Sequence, residues 1–438
     1  MEIKDRYNVI VVGGGPAGIG AALAASRQGM KTLVVEQLNS FGGVGGAGGH
    51  GYMCLCNDWH SDNQIVGGVA YELLERIAAE GYGDLNPGSC AFYDVEYYKR
   101  MLEELFLENG IDFIYHTLFA ETVTEGKAVK GVVVQNKSGR RTLAADTVID
   151  CTGDGDVCAS AGCVYKQGRD SDGKCQPMTL MFTIGGVDWD KVQKWRTSGG
   201  MEEVWEQAQK NGDMESFQKK IMGFWWNSKQ PTYVGINFTH IIGKDSTRAE
   251  DLTDATVEGR RQAYHLIPVF RKYVSGMENC HLVSTGSVIG TRESRRITGK
   301  YIVTEHDLKA EREFADSIGY GAFYIDIHSL DEGGMDHNTW SPPKGFKYQI
   351  PYRALVPKDR ENILVAGRCA SFTHIALGSA RVMSQCTLMG EAAGTAAAVA
   401  VEAGIAPSAI DVKTLQTRLR NAGGIVTRED IRKIGKSK

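Results

Sequence analysis

Residues 8–36 read NVIVVGGGPAGIGAALAASRQGMKTLVVE. Residues 8–12 are a short apolar run, typical of a buried strand, and they lead directly into three glycines. Pro16 then opens a run of Ala and Leu at helical spacing that continues to Gly29, and residues 31–35 predict a second strand. The order strand, glycine turn, helix and strand predicts a nucleotide-binding α/β unit.

The glycines of this unit predict how a ligand is held. Gly13 lets the chain turn sharply, Gly15 lets the backbone approach a pyrophosphate, and Gly18 lets the helix pack close to the strand. The free N–H groups and the dipole of a helix N-terminus favour an anion at this point. Glu36 ends the second strand, where an acidic side chain accepts hydrogen bonds from ribose hydroxyls. The stretch therefore predicts an adenine dinucleotide site.

Length, charge and apolar runs exclude several classes of protein. The 438 residues suggest two connected domains, and the net charge of −4 gives no reason to expect a nucleic-acid partner. The longest apolar run near the end of the chain is interrupted by Glu402 and is shorter than the ~20 residues of a membrane span. The first residues, MEIKDRY, are charged and carry no secretion signal. We expect a cytoplasmic protein without a membrane partner.

The ten cysteines show no CxxC pair and no zinc or iron–sulfur spacing. We therefore predict no metal site and expect mostly reduced thiols. Cys54 and Cys56 differ from the others because they follow a glycine-rich loop that could approach a cofactor.

The rest of the chain predicts a discontinuous first domain, residues 1–165 plus 350–438, and a second domain, residues 166–349. Further strands of the first domain are predicted at 129–135, 147–149 and 362–366, followed by a long helix over 378–403. The second domain, which we expect to hold the substrate, contains six of the seven Trp. Its predicted elements are strands at 179–184, 232–239, 281–289 and 322–327, helices within 188–222 and 250–275, and an ordered loop or lid at 331–345.

A second glycine-rich segment, FGGVGGAGGHG, occupies residues 41–51 and follows Glu36 closely. So many glycines cost backbone entropy, and the need for backbone to approach a flat or charged ligand explains them better than a flexible surface loop does. His50 stands at its end. We expect this loop to lie beside the reactive end of the dinucleotide.

Four separated motifs, in this order, resemble those of the FAD-dependent oxidoreductases in the glutathione-reductase-like class. They are GGGPAGIGAALAASRQG at 13–29, TGDGD at 152–156, TRESRRITG at 291–299, and LVAGRCASFTHIALGSARVMSQC at 364–386. The resemblance implies FAD as cofactor and an α/β fold, in which a Rossmann-like FAD-binding domain carries an inserted α+β substrate domain.

The resemblance also implies which residues hold the cofactor. The pyrophosphate would lie on the first glycine turn, the ribose on the end of the second strand, the flavin side on the 41–51 loop, and the flavin N1 edge at a helix start near Gly378. The residues that it assigns to FAD are Gly13, Gly15, Pro16, Ala17, Gly18, Glu36, Gln37, Gly42, Gly43, Gly153, Asp154, Gly367, Arg368, Ser379, Ala380 and Arg381.

Arg292 is the first candidate for catalysis, because arginine suits bidentate recognition of a carboxylate. With Glu293 as partner it would face the flavin or an anionic substrate, while a solvated charged surface is the alternative. Arg353 and Arg381 could belong to the same cluster.

Histidines are the natural proton carriers near neutral pH, and His50 and His374 are the catalytic candidates among the ten. His240 is a further candidate. Tyr233, Tyr324 and Tyr352 are weaker ones.

These features predict an enzyme that transfers a hydride between flavin N5 and a small organic substrate, either a carboxylate or sugar-like. The interior of the chain has no second GxGxxG for a separate NAD(P)H domain, so a redox-neutral isomerase, hydratase or epimerase is an alternative. A flavoprotein subunit that passes electrons to a partner is another. The electron donor or acceptor, covalent flavin attachment through His50 or a cysteine, and assembly into a homo-oligomer stay open.

Overall fold

The computed structural model describes residues 3–54, 56–85, 90–198, 201–215, 223–226, 230–331 and 333–433. Their strands are β1 Arg6–Val12, β2 Thr32–Val35, β3 Tyr52–Cys54, β4 Asn63–Gln64, β5 Gly83–Leu85, β6 Cys90–Tyr93, β7 Asp112–Ile114, β8 Leu118–Glu125, β9 Ala128–Asn136, β10 Gly139–Asp150, β11 Tyr165–Gln167, β12 Phe182–Gly185, β13 Gly223–Trp226, β14 Val234–Asn237, β15 His281–Thr285, β16 Arg295–Ile297, β17 Ser317–Gly321, β18 Tyr348–Pro351, β19 Ile363–Val365 and β20 Arg432–Lys433. Their α-helices are α1 Pro16–Arg27, α2 Gly68–Ala79, α3 Val95–Glu108, α4 Asp156–Ser160, α5 Trp189–Thr197, α6 Met201–Lys210, α7 Ala249–Tyr273, α8 Glu305–Lys309, α9 His374–Ala380, α10 Met383–Ala403 and α11 Val412–Asn421.

A mixed sheet with a parallel centre forms the middle of the α/β fold. Its strands follow the order β7-β2-β1-β10-β9-β8, and β19 also pairs with β10. β1 runs parallel to β2 and to the second half of β10, while the first half of β10 forms an antiparallel hairpin with β9. Because successive side chains of β1 point to opposite faces, Val9 and Val11 enter one core and Ile10 and Val12 enter the other. Both faces of the sheet are therefore buried, as the apolar run predicts.

Two helices pack closely on one face of this sheet. A Cβ atom added to Gly390 or Gly394 of α10 would lie 1.9 or 2.2 Å from a backbone oxygen of α1. The glycines thus allow α1 and α10 to touch backbone to backbone. This packing fixes α1, whose first turn lies at the end of β1.

A second, antiparallel sheet has the strand order β13-β14-β12-β15 and has its own apolar core. Helix α7 contributes Ala263, Leu266 and Phe270 to that core. Strand β18 crosses residue 350 and pairs with β17, and both strands contribute to the core of the first sheet. The domain boundary at 349 and 350 stays a prediction. Within the described ranges, no helix combines the length and the apolar character needed to cross a membrane.

Two sequence expectations for individual elements are wrong, and a third is confirmed in part. The strand predicted at 322–327 is displaced, because β17 ends at Gly321 and the following residues form only a single bridge, between Ile325 and Trp340. The helix predicted at 378–403 is two helices, α9 and α10, separated by Arg381 and an extended Val382. The helices predicted within 188–222 are confirmed as α5 and α6, and residues 199–200 and 216–222 of that stretch lie outside the described residues.

Candidate functional site

A cleft of about 570 Å³ extends from the glycine turn after β1 to the second sheet. Its nucleotide end is lined by residues from the ends of β1, β2, β10 and β19 and from the start of α1. Its other end is lined by polar residues from segments distant in sequence, namely His50, Thr179, Asn237, Thr239, His240, Arg292, Tyr324, Asp326, His328 and Arg381. One continuous space therefore joins the predicted dinucleotide site to a polar pocket.

Gly13 and Gly18 shape the turn after β1, whereas the missing side chain of Gly15 leaves open space in the cleft. Gly13 has φ +99°, and a Cβ added there would lie 2.4 Å from the carbonyl oxygen of Cys151. A Cβ on Gly18 would lie 1.8 Å from the oxygen of Gly13, and Gly18 does not line the cleft. A Cβ on Gly15 would stand in the cleft, with the Cα of Gly43 at 3.9 Å as its nearest neighbour. The space over Gly15 is therefore kept for a ligand, which fits a pyrophosphate.

The predicted ribose acid lies in the cleft wall. Glu36 is buried, and its carboxylate accepts hydrogen bonds from the backbone N–H of Gly14 at 2.6 Å and of Leu38 at 2.8 Å. Burial raises the pKa of Glu36, and these N–H groups oppose the rise. Gln37 follows it in the lining, together with Pro16 and Ala17 from α1.

The 41–51 loop contributes Gly43 to the lining. Gly42 does not line the cleft: it has φ +96°, and a Cβ there would meet Gly46 and Tyr98. Gly42 thus shapes the loop that presents Gly43.

Two segments more than 200 positions apart meet at the middle of the cleft. Asp154 accepts a hydrogen bond from Arg368 Nη1 at 2.7 Å and another from Ser294 Oγ at 2.6 Å. Gly153 and Gly367 lie beside this pair, and both have positive φ angles. The carboxylate of Asp154 therefore holds Arg368 next to the place where the resemblance puts the pyrophosphate.

Ser379 and Ala380 are not at a helix start, as predicted, but at the end of α9, and neither lines the cleft. Thr373 is the N-cap of α9, so this helix begins at His374, before the predicted start near Gly378. The Ser379 hydroxyl donates a hydrogen bond to the Tyr348 hydroxyl at 2.8 Å inside the core. The cleft is instead lined by Arg381 and by the first turn of α10, including Met383 and Cys386. Of α9 and α10, it is therefore α10 whose N-terminus lines the cleft.

His50 lines the cleft, and its ring packs edge-on against Trp225 with ring centroids 4.6 Å apart. Its Nδ1 is buried and has no hydrogen-bond partner among the described residues. Burial and the charge of Arg292 lower the pKa of His50 to about 4. The imidazole is thus neutral at pH 7.

His374 does not reach the cleft, contrary to its proposed catalytic place. Its Nδ1 lies 2.8 Å from Oε2 of Glu293, a fully buried carboxylate that also pairs with Arg296. Glu293, which was expected to be the partner of Arg292, therefore pairs with His374 and Arg296 instead. Arg353 also lies outside the lining, where it pairs with Asp316 at 2.9 Å.

Arg292 lines the cleft as predicted. Its Nη1 donates to the oxygen of Pro177 at 2.7 Å and to Thr179 Oγ1 at 3.1 Å. Among the described residues, Nε and Nη2 have no hydrogen-bond partner. Burial and the nearby Arg381 lower the pKa of Arg292 to about 10, so the guanidinium stays charged at pH 7.

Sequence reasoning missed Asp326 and His328, although a signal was present. The segment 324–328 reads YIDIH, and Ile325 and Ile327 enter the core of the first sheet while the three alternate residues line the cleft. Arg381 Nη2 holds Asp326 through its carbonyl at 2.8 Å and Oδ2 at 3.2 Å. Burial opposes ionisation of Asp326, but the basic groups around it hold its pKa well below the ordinary range.

Of the other candidates, Tyr324 and His240 line the cleft, as does Cys54. Tyr352 is buried and donates to the oxygen of Pro407 at 2.7 Å, while Tyr233 is 43% exposed. Neither tyrosine lines the cleft.

The fold and the cleft define a nucleotide-binding protein whose cleft extends from Glu36 to a polar pocket. The chain belongs to the family described as FAD dependent oxidoreductase, whose match covers residues 8–419. It is therefore an enzyme with FAD as its cofactor, and the open space over Gly15 and the fixed pair of Arg368 and Asp154 fit that group.

Individual relatives are more distant. The chain is 31% identical over 144 residues to the tRNA uridine 5-carboxymethylaminomethyl modification enzyme MnmG of Campylobacter hominis, a match that covers 29% of this chain and 21% of that protein. Among solved structures, a geranylgeranyl bacteriochlorophyll reductase-like protein from Thermoplasma acidophilum is 14% identical, with a TM-score of 0.46 and coverage of 95% of this chain and 83% of that one. The p-nitrophenol 4-monooxygenase PnpA from Pseudomonas putida is 12% identical, with a TM-score of 0.46 and coverage of 95% and 84%. The family assignment rests only on the family match over residues 8–419.

Proposed function

We propose that this FAD-dependent oxidoreductase exchanges a hydride with a small organic acid, whose carboxylate binds to Arg292. The observation that carries the proposal is the guanidinium of Arg292, charged and lining the same cleft as the cofactor cradle, with Nε and Nη2 lacking partners among the described residues. A planar fork of N–H donors matches a carboxylate.

The charges around the pocket support an anionic substrate. Arg292 and Arg381 each carry a positive charge, and Asp326 supplies one negative charge that Arg381 already binds. His50 and His328 are neutral at pH 7, because burial lowers the pKa of each to about 4. These five side chains together therefore carry one excess positive charge, which a carboxylate would neutralise.

The chain's own residues hold both partners of the reaction. Gly15, Glu36, Arg368 and the first turn of α10 would hold FAD, which supplies a two-electron hydride acceptor or donor when bound. Arg292 would orient the substrate, and the buried cleft around it limits access of water.

Anaerobic bleaching of the bound flavin across a panel of hydroxy acids, amino acids, enoates, sugars and amines tests the substrate class. We expect acids to bleach the flavin and their uncharged amides to do so poorly. Bleaching by neutral sugars or amines, with none by acids, would overturn the proposal.

The role of Arg292 is tested by the substitution Arg292→Lys. Lysine keeps the charge but loses the bidentate fork, so we expect KM for the acid to rise about 10-fold or more, corresponding to ~1.4 kcal/mol, with little change for the amide. The matched control is Arg353→Lys, which removes a fork outside the cleft and leaves KM unchanged. An unchanged preference for acid over amide in Arg292→Lys would contradict the assignment.

A further inference from the structure

His328 is the most deeply buried histidine of the cleft lining, with 7% of its surface exposed. Its Nε2 lies 3.4 Å from Oδ1 of Asp326. Its Nδ1 is buried and has no hydrogen-bond partner among the described residues. Since Nδ1 is enclosed, Nε2 is the ring atom that can exchange a proton with a molecule in the cleft.

Charged and titratable groups from four segments face this ring. Asp326 belongs to the same extended segment, Arg292 follows β15, and Arg381 lies between α9 and α10. His240, from the segment after β14, has its ring centroid 5.7 Å away. Burial and Arg292 lower the pKa of His328 to about 4, while Asp326 opposes that change. The ring is therefore a neutral base at pH 7 with a carboxylate placed to stabilise its protonated form.

His50, one of the histidines predicted from sequence, lacks this support. Its ring packs against Trp225, and both burial and the charge of Arg292 lower its pKa. A proton placed on His50 would be a buried charge without a carboxylate partner, which is costly. Of these two cleft histidines, His328 is thus the better proton carrier.

We propose that His328 takes up the hydroxyl proton of a hydroxy acid that Arg292 holds, with Asp326 as the positioning residue. The inference rests on the proposed function and adds the substrate class and the base. The substrate O–H bond breaks and its proton goes to Nε2. The adjacent C–H bond would break, and its hydrogen would leave with the electron pair as a hydride, for which FAD would be the acceptor. The alcohol becomes a carbonyl, and FAD is the group reduced.

The same charges select a hydroxyl over an amine as the reacting group. An amino acid carries an ammonium at neutral pH, and this charge would lie in a pocket where Arg292 and Arg381 together outweigh the single negative charge of Asp326. A hydroxyl brings no charge into the pocket. Like charges in a buried site are unfavourable, so the hydroxy acid is the better ligand.

Substrate binding should increase the basicity of His328. The charge of Arg292 disfavours a proton on the ring, and a carboxylate bound to Arg292 offsets that charge. We expect the acidic limb of the kcat/KM profile, which reports the free enzyme, to lie near pH 4, and that of kcat to lie at higher pH.

The test uses the holoenzyme and the acid that bleaches its flavin, with His328→Gln and His337→Gln as a matched pair. His337 lies nine positions further along the chain, with its side chain 87% exposed. We expect His328→Gln to keep FAD and to bind the acid within about 3-fold of the wild type, while the anaerobic bleaching rate falls about 10²–10⁴-fold and loses its acidic limb. His337→Gln should match the wild type in all four readouts.

Asp326→Asn and Asp326→Glu separate positioning from folding. Without the carboxylate the pKa of His328 falls. The acidic limb of Asp326→Asn should therefore move to lower pH, and its rate of flavin bleaching should fall. Asp326→Glu should restore part of the bleaching rate and part of the shift in the acidic limb. If an acid bleaches the flavin but His328→Gln keeps the wild-type rate, or a slower rate with the acidic limb intact, the inference is wrong and the proposed function stands. If only amino acids bleach the flavin, the hydroxyl assignment is wrong. If no acid bleaches it, the proposed function itself fails.

Discussion

Two glycines of the first turn differ in what a methyl group would meet. At Gly13 a methyl group would collide with the backbone of Cys151, in a left-handed conformation that alanine rarely adopts. At Gly15, which has φ −72° and ψ −173°, it would meet open cleft and the Cα of Gly43 at 3.9 Å. Gly13 is therefore required by the fold, and Gly15 by the ligand.

Gly15→Ala should leave the apoprotein as stable as the wild type but weaken FAD binding by about 10-fold or more, or ~1.4 kcal/mol, since the methyl group occupies ligand space. Gly13→Ala should destabilise the apoprotein itself by ~1–3 kcal/mol from backbone strain. Urea unfolding of the apoproteins and FAD titration followed by flavin fluorescence measure the two effects. Equal losses of apoprotein stability in the two variants would contradict this division.

At the scale of elements, the contact of α1 with α10 places the first turn of α1 in the cleft. Gly390→Ala would put a methyl group 1.9 Å from the oxygen of Ala17, and backbone cannot move aside cheaply. We expect a loss of ~1–3 kcal/mol in unfolding free energy from overpacking, together with weaker FAD binding because α1 is displaced. The measurement is urea unfolding combined with FAD titration.

Ala403→Ser, at the exposed end of α10, is the matched control and should change neither quantity. Wild-type stability in Gly390→Ala would show that the two helices can separate without cost, contrary to their close backbone packing.

At the scale of the whole molecule, one buried carboxylate should make stability depend on pH. Glu391 of α10 is 4% exposed and accepts the N–H of Val69 at the start of α2. Burial raises its pKa from 4.5 to about 8, although the hydrogen bond and the charge of Arg27 oppose the rise. The folded state therefore keeps this proton to higher pH than the unfolded state does.

Stability from this group is full below about pH 4.5 and falls as the pH rises to about 8. Glu391→Gln removes that loss, so unfolding free energy in urea should be higher than in the wild type at about pH 8.5 by a few kcal/mol, and less so near pH 6. Glu402→Gln, on the same helix, is the control: the bond to Arg418 lowers the pKa of Glu402, so it should give no such gain. A Glu391→Gln variant less stable than the wild type at both pH values would refute the assignment.

Local sequence is enough to predict the parts of the fold that depend on neighbours along the chain. The apolar run, the glycine turn and Glu36 follow one another within 29 residues, and local backbone preferences are enough to give strand, turn, helix and strand. The family motifs likewise predicted FAD, which the family match confirms. Arg292 was a candidate from its motif, and it does line the cleft.

Contacts between distant segments set which of the remaining residues meet. Segments around residues 50, 179, 240, 292, 326 and 381 line one pocket, whereas His374 turns toward Glu293 and Ser379 toward Tyr348. These placements depend on which helix end, sheet and core each segment packs against, and contacts between distant segments leave little trace in local sequence patterns. His328 could be assigned to the cleft only because Ile325 and Ile327 are anchored in the core on the opposite side of the same extended segment.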